Sequence, residues 1–176
     1  MDIDFDALIA NETDSTLKDM HEYFRDRTPT EKNQYTGMFQ GKNLLLFTGE
    51  AFWIGAVNEQ YTPTLYKLAH SGFVFENFYN PLWYYSTVDG EYAATTGLIP
   101  TNQVNASQRY AGKNGVSMYF SMGNQLRALG YPTLAYHNNT ANYYDRNLSH
   151  PNLGYDFYAC DTGLDVAMTW PQSDLE

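Results

Sequence analysis

The chain of 176 residues has one cysteine, Cys160. That excludes an internal disulfide framework and any zinc site built from several cysteines. It leaves the compartment open. Basic residues are scarce: ten Lys and Arg stand against twenty Asp and Glu, for a formal net charge of −10. A nucleic-acid binder normally carries a basic face, so nucleic acid is not an expected partner. Long apolar runs are missing too. None exceeds the four residues of Leu44–Phe47, whereas a membrane-spanning helix needs about 20. No basic, apolar, small-residue pattern opens the chain, so no signal peptide is expected. Charged residues are only 17%, below the ~25% of an ordinary globular domain. What the chain has instead is 43% hydrophobic residues and 16% aromatics, including 16 Tyr. Disorder, coiled coil and collagen are thereby excluded as the main state. The length fits one domain with a sizeable core.

The acidity is unevenly spread. Residues 1–31 hold nine acids and three bases, residues 156–176 five acids and no base, and residues 32–155 six acids and seven bases. The middle of the chain is therefore nearly neutral and able to meet an anionic substrate.

Residues 1–40 read as a helical approach or linker segment, and residues 41–176 as the domain proper. In the first, Thr13 or Asp14 is suited to cap a helix reaching about Arg25. Leu17, Met20 and Phe24 give its apolar face, and Thr28-Pro29-Thr30 ends it. An amphipathic helix packed on a domain is the plain interpretation. From Lys42 the pattern changes. Leu44–Phe47 suits a strand buried on both faces, with Glu50 just beyond its C-terminal end. Thr62-Pro63 starts a helix that Gly72 stops, and Phe73-Val74-Phe75 suits a second strand. Ser86 or Thr87 caps a helix to about Gly97, with Ser86-x-x-Asp89 resembling a capping box. Residues 101–116 look like loop. A helix is expected from Ser117 to Leu129, ended by Gly130, and a strand from Tyr131 to Tyr136 delivers His137. This order implies an α/β fold with a largely parallel sheet covered by helices.

Common signatures are absent. Gly41-Lys42-Asn43 and Gly112-Lys113-Asn114 are not phosphate loops. There is no GxGxxG and no GxSxG. His21-Glu22 lacks the second His of a zinc-protease helix. Ser149-His150-Pro151-Asn152-Leu153 lacks the Arg that would complete a C/S-x-P-x-R sulfatase motif. What remains is a spatial expectation. Open α/β sheets place their sites beyond the carboxyl ends of the strands, where Glu50 and His137 would fall. Thr87, at a helix start, would face an anion favoured by the helix dipole. Its hydroxyl could act as a nucleophile beside a metal, Glu50 could ligate a hard divalent ion, and Arg146 could hold phosphate through paired hydrogen bonds. Spacing alone leaves plainer roles open: a surface acid, a helix cap, a core or loop histidine. The aromatic run Trp83-Tyr84-Tyr85 either lines such a site or packs its own loop down.

Several segments, taken in order, carry a resemblance. They are Asn43-Leu-Leu-Leu-Phe-Thr-Gly-Glu50-Ala-Phe52, Tyr61-Thr-Pro-Thr-Leu65, Gly72-Phe-Val-Phe-Glu-Asn-Phe78 and Ser86-Thr87-Val-Asp-Gly-Glu91. Further on come Gly123-Asn-Gln-Leu126, Leu129-Gly-Tyr131, Tyr136-His137, Tyr144-Asp-Arg146 and His150-Pro-Asn-Leu-Gly-Tyr155. From Lys42 to Leu175 the chain resembles the lipoteichoic acid synthase family, phosphoglycerol transferases of the sulfatase/alkaline phosphatase superfamily. The resemblance implies Glu50 as a metal ligand and Thr87 as the nucleophile and a second ligand, with Mn²⁺ or Mg²⁺ as cofactor. It implies His137 and Arg146 as lining a glycerol-phosphate pocket, with Tyr144 where an aromatic, often Trp, contributes. Phosphatidylglycerol and a glycerol-phosphate polymer are the implied partners. The implied location is the extracellular face of the cell membrane, for a full-length protein that is membrane-anchored.

The resemblance also has gaps. The family completes its metal site with a late Asp-His pair and adds a further pocket His, and the chain offers no candidate for them. Its membrane helices have no counterpart here. The chain is thus expected to be the amino-terminal part of such a catalytic domain, with negligible turnover alone. The alternatives are a phosphoethanolamine transferase or a sulfatase of the same superfamily, or a non-catalytic relative that binds headgroups or glycans.

Overall fold

The structure is a computed structural model that describes residues 3–49, 52–79, 86–100 and 107–166. It divides into two compact units, Met1–Leu46 and Phe47–Glu176. The first contains α1 (Phe5–Asn11) and α2 (Ser15–Arg25), which pack on each other. Asp14 caps α2 as its side chain allows: Oδ1 accepts from the backbone N–H of Thr16 and Leu17 at 2.9 and 3.0 Å. The expected helix is therefore present, with Arg25 as its last residue. A shorter helix, α1, precedes it, capped by Asp4 through Ala7 N–H at 2.9 Å. Neither helix has a buried residue.

In the second unit α3 (Pro63–His70) starts with Pro at its first turn, where a missing N–H costs nothing. Then follow α4 (Ser86–Thr96), α5 (Ser107–Asn114), α6 (Met122–Ala128), β1 (Leu134–His137), a 3₁₀ turn (Tyr143–Asp145), α7 (Arg146–Asn152) and β2 (Asp156–Ala159). β1 and β2 pair in parallel, with Leu134 opposite Asp156 and His137 opposite Ala159. The α/β class expected from sequence is observed, with a parallel sheet of two strands among the described residues.

Several expectations change. Ser86 and Thr87, read as alternative caps of α4, both lie within its first turn, so neither stands at the cap position. Leu44–Phe47 and Phe73–Phe75 are not strands; Leu45 and Phe47 are 78% and 85% exposed and Phe75 77%. An apolar run supplies β propensity, but a parallel strand exists only where a neighbouring ladder satisfies its backbone and side chains cover its faces. The stretch read as loop holds α5. Its Gln, Arg, Ala and Lys are good helix formers interrupted by Ser, Gly and Asn, and at eight residues the helix is stabilised by packing against α7. Gly112 is what permits that packing, since a Cβ there would lie 2.8 Å from the Leu148 carbonyl carbon and 2.9 Å from the Ser149 Cα. The helix expected from Ser117 begins at Met122, because Ser121 is the cap. Its Oγ faces Asn124 N–H at 3.4 Å and donates to the Leu153 carbonyl at 2.7 Å. Finally, the strand expected over Tyr131–Tyr136 runs Leu134–His137, so His137 belongs to it.

α7 returns the chain from β1 to β2. It ends at Gly154, whose φ of +94° suits glycine. Gly154 N–H bonds the Pro151 carbonyl and Tyr155 N–H the His150 carbonyl, both at 3.0 Å, in a Schellman closure. The buried apolar side chains near this crossover are Val88, Tyr92, Ala111, Ala141, Leu153 and Ala159. Buried among the same elements are Gln108, Ser149 and Arg146. So much buried polarity next to a strand end requires internal hydrogen bonding.

Candidate functional site

Arg146 begins α7 at the end of an unfavourable turn. Tyr144 and Asp145 both adopt left-handed backbone, at φ +58° and +56°. Consecutive non-glycine residues in this region cost about 1–3 kcal/mol each. Asp tolerates it better than most residues, and Asp145 is also held from outside. Its carboxylate accepts from Arg109 Nε at 2.8 Å and lies 3.0 Å from Lys113 Nζ, both one helical turn apart on α5. These cations hold the Asp145 carboxyl below the usual aspartate range.

The turn delivers Arg146 into the interior, 3% exposed. Its Nε donates to Glu91 Oε1 at 3.1 Å, and Nη2 donates to the same oxygen. Nη1 donates to His137 Nε2 at 3.2 Å and to the Tyr143 carbonyl at 3.3 Å. The guanidinium carbon lies 5.3 Å from the Tyr144 ring centroid and 5.8 Å from that of Tyr143, within reach of cation–π attraction. Because arginine only donates, His137 Nε2 must accept, and the imidazole proton belongs on Nδ1. Burial, and then the Arg146 charge, lower the His137 pKa; Glu91 and the Thr140 backbone oppose them. The cluster therefore holds one buried guanidinium, ion-paired with Glu91, beside an imidazole that accepts at Nε2.

Glu91 lies on α4. It also accepts from Gln108 Nε2 at 3.0 Å, and Gln108 has no exposed surface. A further histidine, His150, sits nearby between the rings of Phe157 (4.7 Å) and Tyr155 (6.3 Å). Its pKa is lowered to about 4, chiefly by burial.

His137, Tyr144 and Arg146, singled out in the sequence, thus converge. Thr87 is half-buried in the first turn of α4, one helical turn before Glu91, so the two share a helix face. Glu50 and the run Trp83-Tyr84-Tyr85 lie outside the described residues. Among the described residues no group of three or more His, Cys, Asp or Glu is placed to hold a metal ion. They do not by themselves make a metal site. Likewise no helix among them is long and apolar enough to cross a membrane.

Sequence reasoning assigned no role to Glu91 or Gln108. For Glu91 a signal existed, its spacing of four from Thr87. Gln108 lay in a stretch read as loop and gave none.

Comparison with known proteins gives concordant findings. Lipoteichoic acid synthase 2 of Bacillus subtilis (strain 168) is 26% identical over 153 residues, which are 81% of this chain and 22% of that protein. The chain therefore spans 22% of the length of that relative. No solved structure matches. The Sulfatase family matches residues 42–175, a span that contains Thr87, Glu91, His137, Tyr144 and Arg146. With most of its length and the whole polar cluster inside that match, the chain belongs to the Sulfatase family.

Proposed function

We propose that the chain carries the nucleophile side of a phosphoglycerol-transfer site. Thr87 is the nucleophile, and His137, Tyr144 and Arg146 receive the glycerol-phosphate group. The observation that supports this is the meeting of His137 Nε2 and Arg146 Nη1 at 3.2 Å, with an aromatic ring on the guanidinium. A histidine held against a permanent cation suits a headgroup that is part polyol and part phosphate.

In the proposed step the Thr87 hydroxyl oxygen forms a bond to phosphorus while the bond from phosphorus to the diacylglycerol oxygen breaks. The hydroxyl proton goes to a base, and diacylglycerol leaves carrying a proton. A glycerol hydroxyl, or the end of a glycerol-phosphate polymer, then forms a bond to the same phosphorus while the bond from phosphorus to the Thr87 oxygen breaks, and the proton lost by the attacking hydroxyl returns to Thr87. The guanidinium serves by stabilising charge on the phosphoryl oxygens. Mn²⁺ or Mg²⁺ enters this proposal through Glu50 and Thr87 alone, and no step is routed through it. Phosphatidylglycerol as donor rests on the similarity to a protein named as a lipoteichoic acid synthase. A membrane-anchored, extracellular setting is part of the same proposal. A sulfate-ester hydrolase is disfavoured by the lack of the C/S-x-P-x-R motif.

Two oxygen ligands hold a divalent ion weakly, so this chain alone is expected to bind the headgroup without turning it over. Calorimetric titration with glycerol phosphate should show binding that Arg146→Ala abolishes. With Mn²⁺ and vesicles of phosphatidylglycerol, diacylglycerol release should not exceed that of a Thr87→Ala control. Binding that is indifferent to Arg146 would sink the pocket assignment.

A further inference from the structure

We infer that Glu91 is the positioning residue of the anion pocket, a clamp that fixes which edge of the Arg146 guanidinium faces the ligand. This rests on the proposed headgroup role of the pocket. Arginine has five N–H donors in a rigid plane. Glu91 takes the Nε/Nη2 edge, with Nε 3.1 Å from Oε1 and 3.3 Å from Oε2. Nη1 donates both of its hydrogens, to His137 Nε2 and the Tyr143 carbonyl, so the second Nη2 N–H is the donor left for a ligand. The clamp thereby sets both the direction of the guanidinium and the tautomer of His137.

Glu91 is itself held. Gln108 donates Nε2 to Oε2 at 3.0 Å, and the same amide leaves its buried Oε1 without a hydrogen-bond partner among the described residues. A buried amide that forgoes an acceptor bond to face a carboxylate is oriented by that carboxylate. Gln108, Glu91 and Arg146 therefore form one chain of hydrogen bonds linking α5, α4 and α7. Thr87 precedes Glu91 by one turn on α4. The same helix thus carries the proposed nucleophile and the group that orients the phosphate cation. A rigid helix fixes the distance between them, which benefits in-line attack on a bound phosphoryl group.

The alternative is that the Glu91 carboxylate merely occupies the Arg146 fork as a competitor, to be displaced by phosphate. The two roles predict opposite signs. Glu91→Asp keeps the charge and retracts the oxygens by one methylene. Gln108→Leu keeps the charge and removes the tether. Each is titrated calorimetrically with glycerol phosphate, using the whole chain. A clamp predicts about tenfold weaker binding for Glu91→Asp, as expected for loss of a charge-assisted hydrogen bond. Gln108→Leu should move the same way by a smaller factor. Unchanged or tighter binding in Glu91→Asp overturns the inference. A second readout does not depend on the ligand. In ¹⁵N-labelled protein the Arg146 Nε–H resonance should exchange slowly with water in the parent chain and rapidly in both variants. If that signal depends on Glu91 while the parent chain binds no glycerol phosphate, the headgroup assignment fails and the clamp on Arg146 stands. If the signal does not depend on Glu91, the clamp fails whatever the titration gives.

Discussion

At the scale of single residues, His150 carries the clearest pH dependence. Its pKa is lowered to about 4 in the folded chain, against 6.5 for an ordinary histidine. The unfolded chain therefore binds the proton more readily between those values. Stability is complete above pH 6.5 and declines as pH falls towards 4, by up to about 1.4 kcal/mol per unit and about 3 kcal/mol across the window. His137 is shifted in the same direction, so it adds a contribution of the same sign. His150→Phe, placed between the rings of Tyr155 and Phe157, should flatten the part due to His150. Urea midpoints followed from pH 7 to 5, where most carboxylates stay ionised, measure this; equal slopes in parent and variant would contradict it. The convergence of His137, Tyr144 and Arg146 was legible because they lie within ten residues of one another in a recognisable order. Their counterpart Glu91 is 55 residues from Arg146, and no local pattern encodes a partnership at that separation. Histidine pKa values are equally invisible in sequence, since they depend on what is buried around the ring.

At the scale of elements, the 3₁₀ turn Tyr143–Asp145 joins strand to helix at a conformational cost, and α5 offsets part of it. Arg109 and Lys113 grip Asp145 from successive turns of that helix. Asp145→Asn retains a side chain that accepts left-handed backbone but gives up both ion pairs. The Asp145 side chain is 25% exposed and that of Lys113 50%, so screening limits the loss to about 0.5–1 kcal/mol. Denaturation curves should show that deficit at low ionic strength and a smaller one in 1 M salt; a deficit independent of salt would mean that the backbone, not the charge, is at fault. Sequence reading went astray in this region for a related reason. Residues 107–114 mix good helix formers with Ser, Gly and Asn in a stretch too short to be stably helical alone, and α5 exists through its contact with α7, made possible by the bare Cα of Gly112. Conversely, the apolar run Leu44–Phe47 finds no ladder to join among the described residues. The cap at Asp14 was legible because a cap is a local bargain between a side chain and the N–H groups beside it, whereas the start at Thr62-Pro63 was legible from the proline alone, since the Thr62 hydroxyl makes no cap bond.

At the scale of the whole molecule, protection is expected to be uneven along the chain. The crossover from β1 through α7 to β2 contains Leu153 at 1% exposure and Ala159 at 0%, and α4 adds Val88 at 1%. Helices α1 and α2, of 7 and 11 residues, bury none of their side chains. Helices shorter than about 12 residues are marginal in water without tertiary support. Their segment also carries nine of the twenty acids against three bases, so it repels itself. The sequence displayed this charge distribution directly, and what it could not display was how little covers Leu17, Met20 and Phe24, which remain 47%, 49% and 53% exposed. Amide hydrogen exchange on the intact chain should therefore show little protection over Phe5–Arg25, rising slightly with added salt as the acids are screened. The slowest amides should lie in α7 and β2. Protection in α2 equal to that in α7 would mean that an apolar surface covers the α2 face in solution. The polar cluster would then no longer be the most stable part of the chain. Low protection in α2 together with high protection in α7 would place the chain's stability where Arg146, Glu91 and His137 are held, as the proposed anion pocket requires.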